Sequence, residues 1–221
     1  MAVVHRTTMT PGKLELLASW LPAQHWYRGP RAEGAPLPAK AGGFRLDDPQ
    51  GEVGIEFMAI TDGEGEHAVT YHVPLTYRGA PLGGAEHALV GTSEHGVLGR
   101  RWIYDGTHDP VLVARLYALV LGEAEPQAQS ESDTPDPSVT GWYAGSGRPG
   151  PVEILGVSAG AGTSDVLVQT PAGKLTVAVQ RVLRPAPEEE DTAGRLLGHV
   201  TADWTLPDGA KARGRYAVVR A

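Results

Sequence analysis

Glycine and proline interrupt this chain more often than any pattern of apolar residues sustains it. With 29 Gly and 18 Pro among 221 residues, they occupy more than a fifth of all positions. Uninterrupted runs are therefore short, and short runs between turn residues favour brief strands over long helices. The apolar share of 41% is enough to fill one large core or two small ones. The chain has no cysteine, which removes disulfides, iron–sulfur clusters, thiolate zinc sites and cysteine nucleophiles together. A net charge of −7, with no Lys/Arg run interleaved with aromatics, argues against a nucleic-acid partner. The longest apolar stretch, residues 111–121, contains Arg115 and is far below spanning length. The N-terminus lacks the layout of a signal peptide. The expectation is a soluble cytoplasmic protein with no membrane partner.

Periodicity supplies the elements. Residues 11–20 read as a short helix, capped by Thr10, opened by Pro11 and ended by Pro22. In residues 53–61, Val53, Ile55, Phe57 and Ala59 alternate on one side. Met58 and Ile60 make the other side apolar too, as in a strand covered on both faces. Residues 67–77 follow as its hairpin partner, with Thr70 and His72 on one face and Tyr71 and Val73 on the other. Pro74 there demands an edge position or a bulge. Two further strands are expected at 88–92 and 99–104. Asp109 then caps a helix that Pro110 opens and that runs to Leu121. Residues 122–150 are rich in Glu, Asp, Ser, Gln and Pro and read as a mobile acidic linker. Beyond it, strands are expected at 152–157, 164–169 and 175–183. A weak helix follows at 188–197, then a hairpin of 198–206 with 211–219 around Pro207, Asp208 and Gly209. The fold class is α+β: two small antiparallel β units, 1–121 and 151–221, joined by the linker 122–150.

No residue pattern commits the chain to chemistry. The glycines at 156, 160 and 162 lack a following Gly-Lys-Ser/Thr, so they read as a turn before a phosphate loop. Eight histidines fall at no diagnostic metal spacing. Ser93, Glu94 and His95 are sequence neighbours, which rarely adopt triad geometry. Trp20, Trp26, Tyr27 and Trp102 are the candidate ligand-binding residues, as a platform on which a sugar would stack. The competing reading for Trp26 and Tyr27 is a packed core corner over the helix they adjoin. No catalytic residue, metal ligand or cofactor-binding residue is expected.

One resemblance extends across residues 14–121. The order is a helix ending in Trp20-Leu-Pro22, then Gln24-His-Trp-Tyr-Arg-Gly29, a long hairpin, Tyr71-His-Val-Pro-Leu75, Tyr104-Asp-Gly106 and Asp109-Pro110. It resembles the N-terminal cap of actinobacterial-type maltokinases, from which His25, Tyr27 and Pro30 depart. The resemblance implies a cystatin-like curved sheet packed on a helix, without catalytic residues. Residues 151–221 are similar to the small β-lobe that follows the cap in those kinases. On that alignment the segment Ser158 to Asp165 matches a phosphate-covering loop, and the phosphate-pairing lysine is replaced by Ala178. Nothing corresponds to the catalytic lobe, whose metal ligands and base perform phosphoryl transfer. The expectation is therefore a non-catalytic accessory or regulatory protein acting with a protein partner. By resemblance it belongs with α-glucan or trehalose metabolism. The alternative is a module binding a carbohydrate or another small ligand at the aromatic cluster near Trp26.

Overall fold

The computed structural model describes residues 8–29, 37–144, 147, 149–185 and 196–221. In chain order its elements begin β1 (Met9–Thr10), α1 (Lys13–Trp20), β2 (Ala39–Leu46), β3 (Gly54–Asp62), β4 (Val69–Arg78), β5 (Leu89–His95), β6 (Gly99–Asp105) and α2 (Pro110–Val120). They continue β7 (Gln127–Ala128), β8 (Thr140–Tyr143), β9 (Glu153–Ala159), β10 (Thr163–Thr170), β11 (Gly173–Gln180), β12 (Gly198–Thr205) and β13 (Lys211–Arg220). Among the described residues all ladders are antiparallel and the elements are mostly strands with two α-helices, so the fold is α+β. The weak helix expected from residue 188 lies outside the described residues except at its end.

The two expected β units share one sheet, ordered β1-β5-β6-β4-β3-β2-β12-β13-β11-β10-β9. They meet where Gly42 of β2 pairs with Trp204 of β12. Gly42 and Gly43 have φ of +147° and +127°, conformations that side-chain-bearing residues avoid. A Cβ on Gly43 would also collide with the Phe57 carbonyl oxygen. The β2–β3 register shifts beside this pair, between Lys40 and Gly42.

A second join closes a ring. Residues 181–183 continue β11 alongside β4, with a bridge between Tyr71 and Val182. The His72 N–H donates to the Arg181 carbonyl at 2.9 Å, and the Leu183 N–H donates to the Thr70 carbonyl at 2.9 Å. Strands β4, β3, β2, β12, β13 and β11 thus run in a closed circuit. This join accommodates Pro74. Residues 72, 74 and 76 aim their backbones at the same edge. Arg181 faces that edge at 72, and β6 takes over from Leu75 onward. Pro74 stands at the changeover, where a missing N–H leaves no ladder bond broken.

Strand β3 is covered on both faces, as its composition requires. Ile55, Phe57 and Ala59 join a cluster with Phe44, Val177, Val179, Trp204 and Tyr216. Phe44 stacks on Phe57 at 4.6 Å, and Tyr216 packs against both Phe44 and His72. Helix α2 contributes Leu112, Leu116, Leu119 and Val120 to the same cluster. Met58 and Ile60 face a second cluster, with Leu17 of α1, Leu21, Trp26, Tyr71 and Val73.

The helix starts divide the expectations. Asp109 caps α2 by accepting from the Val111 N–H at 3.0 Å, with Pro110 first in the helix. Arg78 holds the same carboxylate through two bonds of 2.7 Å. Thr10, expected to cap α1, pairs instead with Glu94 in the β1–β5 ladder. Gly12 takes the cap position, and its N–H donates to the Glu15 carboxylate at 2.6 Å.

Within the stretch 122–150, expected as a mobile linker, residues 127–128 and 140–143 are laid along the sheet. Strand β7 pairs with β2, and β8 pairs with β12. Arg45 Nε donates to the Ala128 carbonyl at 3.1 Å. Gln127 and Val139 are buried. Backbone ladders supply what the composition lacks in apolar side chains.

Candidate functional site

Three of the four aromatic residues singled out in the sequence converge. Trp26 lies 5.8 Å from Trp20 and 5.7 Å from Tyr71, and Tyr27 stacks on Tyr71 at 5.5 Å. The Tyr27 hydroxyl donates to Asp62 at 2.5 Å. Trp26 is only 4% exposed, with the Arg181 guanidinium 5.1 Å from its ring centroid. Trp20 and Tyr27 are half-buried. Trp102 belongs to a separate small cluster with Leu82, Ala85, Ala88 and Tyr104, and Arg100 lies over its ring. The corner at Trp26 is thus filled by the protein's own side chains. Trp26→Leu is expected to lower stability by roughly 2 kcal/mol through lost buried area. Denaturant unfolding checks this. An unchanged midpoint would show the ring to be peripheral to the core.

The other sequence candidates are structural. The Ser93 hydroxyl donates to the Pro11 carbonyl at 2.7 Å, while His95 Nδ1 accepts from the Leu98 N–H at 3.0 Å, so the two serve different contacts. The glycine-rich segment is a hairpin turn closed by Gly160 N–H to the Thr163 carbonyl at 3.0 Å. Thr163 donates to Asp165 at 2.8 Å, which sets a carboxylate beside that turn. Among the described residues, no group of three or more His, Asp or Glu is placed to hold a metal ion.

What sequence reading missed is Glu56, a carboxylate in the middle of an apolar strand. It is 3% exposed and lies at a recess of about 300 Å³ formed where α1, β2, β3 and residue 129 meet. Its Oε2 accepts from Lys13 Nζ and from the Tyr77 hydroxyl, both at 2.6 Å. Its Oε1 accepts from Gln129 Nε2 at 2.8 Å. Burial alone would raise the Glu56 carboxyl. The Lys13 ammonium and the three hydrogen bonds outweigh it and hold the group below the usual carboxylate range. Burial, with Glu56 adding to it, pushes the Tyr77 phenol well above its ordinary value. Lys40 reaches the recess from β2 and donates to the Ser130 hydroxyl at 3.1 Å. Desolvation at its amino end lowers its pKa, Glu56 opposes that, and Lys13 adds to it. The sequence signal was present: an acidic residue between Ile55 and Phe57 needs a partner to be buried.

A second polar cluster sits at the ring's closing join. Arg181 is fully buried, with Nε donating to Ser164 at 2.8 Å and Nη2 to Asp105 at 2.5 Å and to Thr107 at 3.1 Å. This cluster ties β6 and the turn after it to β10 and the end of β11.

Residues 20–109 match the family described as the maltokinase N-terminal cap domain. The match covers β2 to β6 and the turn before α2. No curated protein matches the chain. No helix among the described residues is long and apolar enough to cross a membrane.

Proposed function

From a chain that carries a maltokinase cap-like domain over residues 20–109, we propose a non-catalytic accessory or regulatory protein. It works in the cytoplasm beside enzymes of α-glucan or trehalose metabolism and acts through a protein partner. Ala178 carries this reading. At the position where the resemblance puts a phosphate-pairing lysine, Ala178 is sealed in β11 between Asp165 of β10 and Val218 of β13. Its methyl group offers no charge to a nucleotide. Lys174, on the same strand, is exposed near the hairpin end. The Asp165 carboxylate beside the glycine turn would repel a phosphate.

The free border of β9 supports a protein partner. Among the described residues no strand pairs its outer side. An open groove of about 550 Å³ lies beside it, lined by Val152, Ile154, Leu155, Ala85 and Pro110 and also by the polar Glu153, His87 and His108. An unpaired edge beside a groove of mixed polar and apolar lining suits addition of a strand from another chain. The covered ring of Trp26 weighs against the alternative of a sugar platform at that corner.

Incubation with maltose and Mg-ATP is the test. No sugar phosphate is expected, and ATP affinity is expected to be no tighter than millimolar. Accumulation of a phosphorylated sugar, or micromolar ATP binding by calorimetry, would overturn the reading.

A further inference from the structure

We propose that His87 and His108 form a two-imidazole site for one divalent transition-metal ion, in the groove beside β9. This does not depend on the accessory role. The two rings come from separate turns, residues 86–88 just before β5 and residues 106–108 just before α2. His87 Nε2 and His108 Nδ1 face each other at 3.1 Å, with the rings edge to face. Backbone hydrogen bonds close both turns. The Ala88 N–H donates to the Ala85 carbonyl at 2.9 Å, and the Asp109 N–H donates to the Gly106 carbonyl at 3.0 Å. Arg78 anchors Asp109 in turn, so the chain beside His108 is fixed.

The spacing suits coordination. Imidazole nitrogens bind zinc at about 2.0–2.1 Å, so two of them 3.1 Å apart subtend roughly 95–100° at the ion. That angle lies between the right angle of a square-planar centre and the tetrahedral angle, a range that zinc, nickel and copper(II) accept. In the metal-free pair one facing nitrogen carries a proton and donates it to the other. On metal binding that proton moves to the outer nitrogen of its own ring, so no net proton is released. His87 is exposed, and a small turn of its ring aims both lone pairs at one point.

The surroundings favour a cation. Among the residues that line the groove with the two rings there is no Lys or Arg, and the one charged side chain is the Glu153 carboxylate. Burial outweighs the nearby Asp105 charge and lowers the His108 imidazole below its ordinary value, so the ring is neutral at physiological pH. Among the described residues no third ligand is placed, so water fills the ion's other positions and the affinity is moderate.

Titration calorimetry on the full chain tests the site with zinc, nickel and copper(II) salts alone, and with magnesium and calcium as controls. One ion per chain is expected to bind at micromolar concentration, with the two hard cations inert. His87→Ala is expected to weaken that binding by about tenfold or more. Its metal-free thermal midpoint should match that of the parent, because His87 is exposed. His87→Gln and His108→Gln are the further variants, with the same loss expected. Paramagnetic resonance of bound copper(II) should show coupling to a pair of nitrogens, and to a single one in the His87 variants. His25→Ala removes an imidazole elsewhere and should leave the affinity unchanged. Absence of saturation by all three transition ions, equal binding of magnesium, or unchanged affinity in both His87 variants would overturn the proposal.

Discussion

Arg181→Ala is expected to destabilise the protein by about 3–5 kcal/mol, the usual consequence of stripping a buried charge of its partner. Its guanidinium is fully buried and engages Asp105, Thr107 and Ser164. The ring of Trp26 lies 5.1 Å away. Truncation would leave the Asp105 carboxylate enclosed with no counter-charge. It would also open a void beside Trp26, so packing and electrostatic losses fall in the same place. Burial alone would raise the Asp105 carboxyl. The Arg181 charge and hydrogen bonds from Arg181 and Thr107 overcome that and keep it below the ordinary range. Asp105→Asn removes the stranded charge. The double variant Arg181→Ala/Asp105→Asn should therefore lose less than the two single losses combined. Urea unfolding of the four proteins measures this. A loss under about 1 kcal/mol for Arg181→Ala would mean that water reaches Asp105 as soon as the arginine is gone.

Stability is expected to fall steeply on acidification, through His72. Burial, reinforced by the nearby Arg181 charge, lowers this imidazole from 6.5 to about 3. The ring lies in the core against Tyr216 and Phe57, with Nδ1 2.9 Å from the Gln180 carbonyl. That contact makes Nδ1 the protonated nitrogen of a neutral ring, and Nε2 has no partner. In the folded state the ring stays neutral, while in the unfolded chain it takes a proton as pH drops below 6.5. Its contribution is thus complete above pH 6.5 and is lost as pH falls from there toward 3. The slope approaches about 1.4 kcal/mol per pH unit, for a total of roughly 4–5 kcal/mol. His108, lowered by burial, adds in the same direction. Glu56 and Asp105 follow at lower pH, because both are held below the ordinary carboxylate range. His72→Leu should flatten the slope between pH 6.5 and 4.5, where those carboxylates contribute little. Chemical denaturation across that interval reads the slope directly. An undiminished slope in the variant would place the proton uptake elsewhere.

The strands were legible in sequence because their signal is local. The two apolar faces of β3 and the alternation of Tyr71 and Val73 with His72 in β4 are period-two facts, visible without knowing the partner strands. The cap at Asp109 and Pro110 is equally local. What escaped was set by distant partners. Thr10 has the chemistry of a cap, yet a ladder with β5 claims its backbone. The acidic stretch has a linker's composition, but ladder hydrogen bonds do not register in composition. The aromatic corner was legible as a cluster at Trp20, Trp26 and Tyr27. The arginine beside Trp26 comes from a residue more than 150 positions downstream, and no spacing rule reaches that far. Glu56 was the missed clue, since a lone carboxylate in an apolar strand signals partners, although it does not say which. Lys13, Tyr77 and Gln129 come from three separate segments.

The closed circuit of strands also fixes a schedule for synthesis. Strands β2, β3 and β4 leave the ribosome early, whereas the circuit also needs β11, β12 and β13, which are made later. Until then Phe44 and His72 have no Tyr216 to pack against. The face of β3 beneath α1 can be covered first, from Leu17, Leu21 and Trp26, because those residues precede it in the chain. The opposite face receives α2 next and is completed only by the later strands. A nascent chain paused after α2 would still lack Val177, Val179, Trp204 and Tyr216 on that face, the kind of intermediate that chaperones bind and that aggregates when crowded.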